Sequence, residues 1–384
     1  MAHGFSPSFS GDLKLVKSED GYVNGIKFEA KPGAKAYRNH IRITAVLPDG
    51  RERCLTERKS KRDEKKDLPI SAHELRVNNL ILSDAYDHTH GFGVEGMERV
   101  YDNRAMMYTP VSIPCNTIEI PVEKLIHAKG YVTGQKVIVD IRNNDMGFLD
   151  LNDRKFFGVT TSTGQEDHEL RSFYELLVVQ GSLDLKECVA VGSELYISCD
   201  QRHQIMYTRG ISFINGFKKN ARIVQDNGKA VVKLVVDPVD SAFYAQQRLA
   251  DSFHDVTNGD YSNPRAIEHF FSLYKNVRVF LSFNKSKILP VHGLSKQKLE
   301  DIRFDKDGIP TSVMEHFRNE YGFSSRAGEM PALEVRFMNG QHGFYPLDCL
   351  EILKCQKVPM FKYTLVSPTL HDDILKVKGF LLEI

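Results

Sequence analysis

Between Val277 and Leu353 the chain sets one stretch of helical period among short apolar runs of strand length. The runs are NVRVFLSF, SKILPVHGL, ALEVRF and HGFYPLDCLEIL. The helical stretch is TSVMEHFRNEYGF, in which Val313, Phe317 and Tyr321 stand four apart and share one helix face. FDKDGIP marks a turn ahead of it, and Asn339-Gly340 is a hairpin signal between the last strands. This order points to a small barrel-like β unit with a helix inserted.

The rest of the chain reads as further strands with a few helices. GIKFEAKPGAKAYRNHIRITAVL, residues 25–47, predicts two strands joined at Lys31, Pro32 and Gly33. Residues 95–122 predict strands with turns at Asp102-Asn103 and Pro110. EDHELRSFYELLVVQ, residues 166–180, predicts a helix, and residues 190–215 return to short strands. DPVDSAFYAQQRLADSFHDV, residues 237–256, predicts a second helix with Asp240 or Ser241 near its cap. NGDYSNP is a turn-rich boundary, and IEHFFSLYKN, residues 267–276, predicts a third short helix.

A length of 384 residues suits two or three domains. The 51 basic residues almost balance the 50 acidic ones, so overall charge gives no support for nucleic-acid binding. Any RNA contact must come from local patches and aromatic platforms. The stretch RERCLTERKSKRDEKKD, residues 51–67, reads as an exposed loop; a nuclear-import or RNA-touching patch is the sharper reading. No apolar run is long enough to span a bilayer, and MAHGFSPSFSGDLK carries no secretory signal. Cys54, Cys115, Cys188, Cys199, Cys349 and Cys355 form no C-x-x-C pair, which predicts free thiols in a reducing cell interior, cytoplasmic or nuclear. Asp84, Asp87, His88 and His90 in SDAYDHTHG lack metal-ligand spacing and read as a polar loop. No P-loop, H-E-x-x-H or G-x-S-x-G motif occurs, and no cofactor, metal or catalytic constellation is expected.

The segment Val277–Leu353 resembles a PAZ domain. SVMEHFRNEYGF follows that family's pattern of a valine, a polar-aromatic-Phe triplet and a tyrosine four residues after the Phe, while MPALEV and FYPLDCLEI follow its ending. Upstream, RVYDNRAMMYTPVSIP resembles a signature of the argonaute N-terminal domain. QRHQIMYTRGISFINGFKKNARIV and KLVVDPVDSAFYAQQRLADSF resemble the first argonaute linker, with Asp237, Pro238, Val239, Ser241, Ala242, Phe243 and Tyr244 at its motif positions. Four segments in the right order cover nearly the whole chain, which is most similar to the divergent worm-type argonautes.

The resemblance implies an α+β multidomain fold. Residues 1–190 would be an N-terminal α/β-sheet domain, 191–264 the first linker and 265–356 a PAZ domain, an OB-like small β-barrel with an inserted αβ unit. Residues 357–384 would begin a second linker. The MID and PIWI domains that bind a guide 5′ phosphate and cut targets would lie outside this chain, so no slicing enzyme is expected. The partners implied are the 3′ end of a single-stranded small guide RNA, target RNA and proteins of the silencing complex, with no membrane. The resemblance also implies site residues. Two family tyrosines that donate to the terminal phosphodiester fall on His316 and Tyr321, and a family lysine falls on Glu320, with Arg318 in the adjacent turn to compensate. Basic and aromatic positions of the second strand fall on Lys285 and Lys287, a family histidine near Phe283, a family leucine on Tyr345, and a stacking phenylalanine on Phe304. The alternative is a protein–protein interaction module that has lost RNA binding, which the changes at His316 and Glu320 motivate.

Overall fold

The computed structural model describes residues 13–16, 25–56, 72–143, 147–151, 168–184, 188–191, 194–197, 205–208, 210–226, 229–306, 308–336 and 342–366. The N-terminal stretch MAHGFSPSFSGD, most of the charged run at 51–67, Cys199 and the Asn339-Gly340 turn lie outside the described residues. The chain divides into two compact units, Met1–Leu195 with Phe217–Pro238, and Tyr196–Gly216 with Val239–Ile384.

The first unit is built on the strand Lys35–Val46, which pairs antiparallel with Met106–Thr109, Lys136–Arg142, Glu52–Cys54 and Phe148–Asp150. Alternation sends Ile41, Ile43 and Ala45 to one face, where they bury with Val137, Val139 and Ile141. The helix Ala72–His88 joins that core through Val77, Leu80, Ile81 and Ala85. Three of the four residues expected in a polar loop, Asp84, Asp87 and His88, belong to this helix instead. Asp84 is polar for a different reason from exposure: it is buried and accepts the backbone N–H groups of Ile126, His127 and Ala128, each at 2.9 Å. The helix His168–Asp184 matches its expectation and buries Leu170, Phe173 and Tyr174 with Ala36, Tyr108 and Leu149. Glu169 in its first turn accepts from Arg38 Nε and Nη2 at 2.6 and 2.7 Å.

A second sheet runs in the order Leu13–Val16, Gly25–Ala30, Lys229–Tyr244, Ile211–Asp226, Glu194–Ile197, Cys188–Val191. Its strand Lys229–Tyr244 corrects the expected helix over 237–256, of which only Leu249–Thr257 is helical. Asp240 and Ser241 are not cap residues; both are buried in the strand, and the Ser241 hydroxyl bonds Tyr196 OH at 2.8 Å. A hydroxyl suited to a helix cap is satisfied here by a partner distant in sequence, which local pattern does not reveal.

In the second unit the helices Leu249–Thr257 and Pro264–Tyr274 pack through Phe253, Phe270 and Tyr274. Asn263 caps the latter, accepting from Arg265 N–H at 3.1 Å, with Pro264 in its first turn. Three small sheets follow. Arg278–Leu281 lies between Asn284–Pro290 and Leu350–Ile352; Pro331–Arg336 lies between Leu294–Lys298 and His342–Tyr345; Arg303–Lys306 pairs with Ile309–Ser312. The α+β class thus stands, and the described strands of this part form two three-stranded sheets and a hairpin rather than one closed barrel. They share a core with the helix Val313–Tyr321 through Val279, Leu281, Val313, Phe317, Leu333, Leu347 and Ile352. Lys362 is buried, donates to Leu273 O and Lys275 O at 2.8 Å each, and so fastens the segment Met360–Val366 to the end of the helix Pro264–Tyr274. Burial pushes its ammonium pKa down to about 8.

Two stability predictions follow from close contacts inside single units. Gly210 sits at φ +71°, and a methyl there would meet Tyr274 OH at 2.6 Å and Gln247 Nε2 at 2.7 Å. Gly210→Ala should cost about 2 kcal/mol in urea unfolding, from left-handed strain plus overpacking; an unchanged midpoint would contradict this packing. Asp84→Ala strands three backbone donors and should cost roughly 2–3 kcal/mol, read as a lower melting temperature, whereas a surface aspartate would give no change.

Candidate functional site

The helix Val313–Tyr321 is short, and its sequence supplies both ends. Ser312 caps the start, its hydroxyl accepting from Glu315 N–H at 3.1 Å. Gly322 at φ +63° ends it, its N–H on Arg318 O at 3.1 Å. Nine residues do not hold a helix in water by themselves. Val313 and Phe317 do so by facing the core, both nearly fully buried.

Phe317 then fixes the rings around it. Tyr345 meets it edge-on from below, ring centres 5.9 Å apart. Tyr321, one turn on, lies 5.3 Å away, and its ring stacks on Phe283 at 4.9 Å with 20° between planes. Phe283 occupies the two-residue turn between Leu281 and Asn284, so the fold presents it at a tip. Tyr321 is 48% exposed and Phe283 38%, an unusual exposure for two stacked large rings. The Tyr321 hydroxyl has no partner among the described residues.

His316 stands beside this pair, edge-on to Tyr321 at 5.8 Å and to Phe304 at 5.3 Å. Its Nδ1 is buried without a hydrogen-bond partner among the described residues. Phe304 comes from the hairpin Arg303–Lys306/Ile309–Ser312, whose turn is tied by Gly308 N–H to Asp305 Oδ1 at 2.7 Å. The same hairpin sends Lys306 Nζ to Glu320 Oε1. That hydrogen bond, and then the lysine's charge, hold the Glu320 carboxyl below its ordinary range.

The residues singled out in sequence do not all meet. His316, Tyr321, Phe304 and Tyr345 gather around Phe317, directly or through a neighbour. Tyr345, at 8% exposure, is a buried support, its ring under Lys287 Nζ at 5.0 Å; Phe344 beside it is half-buried. Lys285 and Lys287 do not make a regular strand face. The pairing jumps from Phe280↔Ile288 to Leu281↔Asn284, so residues 285–287 bulge out and Lys285 is exposed away from the cluster's ring contacts. Arg318 is exposed and, among the described residues, makes no ion pair of the kind that Lys306 makes with Glu320. Sequence reading noted Phe283 only as near a family position and missed the Lys306–Glu320 pair. The Asp305-x-x-Gly308 turn is the signal that would have brought Lys306 back toward the helix.

No family model matches the chain. It is 20% identical over 396 aligned residues to Argonaute protein wago-1 of Caenorhabditis elegans, covering 91% of this chain and 39% of that protein. Among solved structures, Kluyveromyces polysporus Argonaute with a guide RNA aligns over 95% of this chain and 43% of its own, at 12% identity and a TM-score of 0.46. The Drosophila Argonaute2 PAZ domain aligns over 23% of this chain and 80% of its own, at 16% identity and a TM-score of 0.21. Both structural likenesses are loose. The sequence match also runs nearly the length of the chain, which is thus similar to an argonaute protein and spans about two-fifths of the length of that relative.

Proposed function

We propose that this chain is a small-RNA-binding part of a silencing argonaute, and that residues 265–356 act as its PAZ-like unit, anchoring the 3′ end of a single-stranded guide. The observation that carries the reading is the exposed Phe283–Tyr321 stack beside His316, whose Nδ1 lacks a partner among the described residues. A terminal nucleotide offers a base face, a phosphate and a ribose diol. An exposed aromatic ring takes the base at about 1–3 kcal/mol without regard to sequence. The Tyr321 hydroxyl and the His316 imidazole are donors of the kind that meet phosphate and ribose oxygens. No bond is made or broken by these groups, so the chain's own role is binding.

An interaction module for a partner protein is the second reading. The Glu320 carboxylate beside the rings and the near-zero net charge favour it, since both weaken attraction for a polyanion.

Titration of the full chain with a 5′-labelled single-stranded RNA separates the two. A free 2′,3′-diol end should bind at least tenfold tighter than the same strand with a blocked 3′ end. Tyr321→Ala should weaken binding of the free end by roughly 5- to 150-fold, the equivalent of 1–3 kcal/mol, with an unchanged melting temperature. Equal affinity for free and blocked ends, untouched by Tyr321→Ala, would favour the interaction module.

A further inference from the structure

An acid stands at Glu320 where a phosphate-binding site would gain from a base, and its geometry gives that acid a use. Glu320 lies next to Tyr321 in the last turn of the helix, and its Oε1 takes the ammonium of Lys306 from the neighbouring hairpin. Both side chains are partly open to water, at 40% exposure for Lys306 and 45% for Glu320. Phe304, two residues before Lys306 on the same strand, meets His316 edge-on. The hairpin therefore touches the helix through one apolar and one ionic contact, at His316 itself and at the residue next to Tyr321.

We infer that the Lys306–Glu320 ion pair is a latch which the terminal phosphate of an RNA must displace, so that Glu320 sets the threshold for binding and Lys306 is the cation that finally holds the phosphate. The inference rests on the 3′-end reading above. An exposed ion pair contributes little to stability and exchanges readily for another anion. A carboxylate already fixed on the lysine screens that charge from passing anions. A phosphate presented by a strand whose base is stacked on Tyr321 has the local concentration to compete. A phosphate without the stack does not. The pair thus converts a weak general attraction for polyanions into a demand that stacking and phosphate contact occur together. The neutral overall charge of the chain works in the same direction, since it adds no field that would draw nucleic acid in by itself.

A latch and a plain structural brace differ in the sign of the effect of one substitution, Glu320→Gln. With the full chain and the same 5′-labelled RNA bearing a free 3′ end, Glu320→Gln should tighten binding by roughly three- to thirtyfold at low salt, because a like charge is removed from beside the phosphate and no carboxylate of Glu320 competes with it for Lys306. Lys306→Ala should weaken it. In wild type, phosphate merely replaces carboxylate on the lysine, so that contact releases no net counterion. In Glu320→Gln the slope of log K against log salt should steepen by about 0.7. A brace predicts that both substitutions loosen the hairpin and weaken binding together, and that outcome overturns the latch, as does an unchanged affinity for Glu320→Gln. Tyr321→Ala is the control that keeps the two ideas apart. If it weakens binding while Glu320→Gln does not tighten it, only the latch fails. If none of the three substitutions changes binding, or free and blocked ends bind alike, the 3′-end reading fails and takes the latch with it. Thermal melting of each variant, expected to stay within a few degrees of wild type for partly exposed side chains, shows that the comparison is made on folded protein.

Discussion

One buried ring, Phe317, carries the orientation of the candidate site. The helix that bears it is too short to persist alone, and Val313 and Phe317 supply its attachment to the core. With Phe317 held, the helical period leaves no freedom in where Tyr321 and His316 go. Four residues on, Tyr321 lands over the turn that carries Phe283; one residue back, His316 lands against Phe304. Tyr345 closes the underside. A rigid support beneath exposed rings lowers the entropy lost when a flexible strand is captured, and here the support is ordinary core packing.

The charge arrangement is the counterpart to that apolar frame. The chain has nearly equal numbers of acids and bases, and near the rings an acid is paired with a base across two elements. Such a surface is poor at collecting nucleic acid indiscriminately. On the proposed reading, aromatic stacking, which tolerates any base, would be the leading contribution, with charge deciding which stacked strand stays.

Much of this was legible in the sequence where the signal is local. The i, i+4 spacing of Val313, Phe317 and Tyr321 gave the helix, and the period gave helices over 166–180 and 267–276 that the structure has at His168–Asp184 and Pro264–Tyr274, the latter begun earlier by its Asn263 cap. What escaped depends on distant partners. The helix Ala72–His88 turns polar residues inward: Asn78 donates to Asn103 O at 3.0 Å, and Asp84 gathers three backbone donors, so its apolar stripe is broken in the sequence. The strand through Asp237–Tyr244 carries cap-like residues whose hydroxyl and carboxyl are buried in the sheet. In the site, Tyr345 and Phe344 alternate on a strand, and only packing against Phe317 decides that Tyr345 faces inward. The register shift that leaves residues 285–287 out of the ladder is likewise set by pairing with Arg278–Leu281.

The central claim is that the exposed rings over Phe317 receive a terminal nucleotide, and photocrosslinking addresses it most directly. An RNA carrying 4-thiouridine as its last 3′ nucleotide should, on irradiation with the full chain, attach to peptides containing Phe283 or Tyr321, while the same label at the 5′ end should not. Crosslinks from the 3′ probe that fall elsewhere, or equal labelling of these peptides by both probes, would contradict the account.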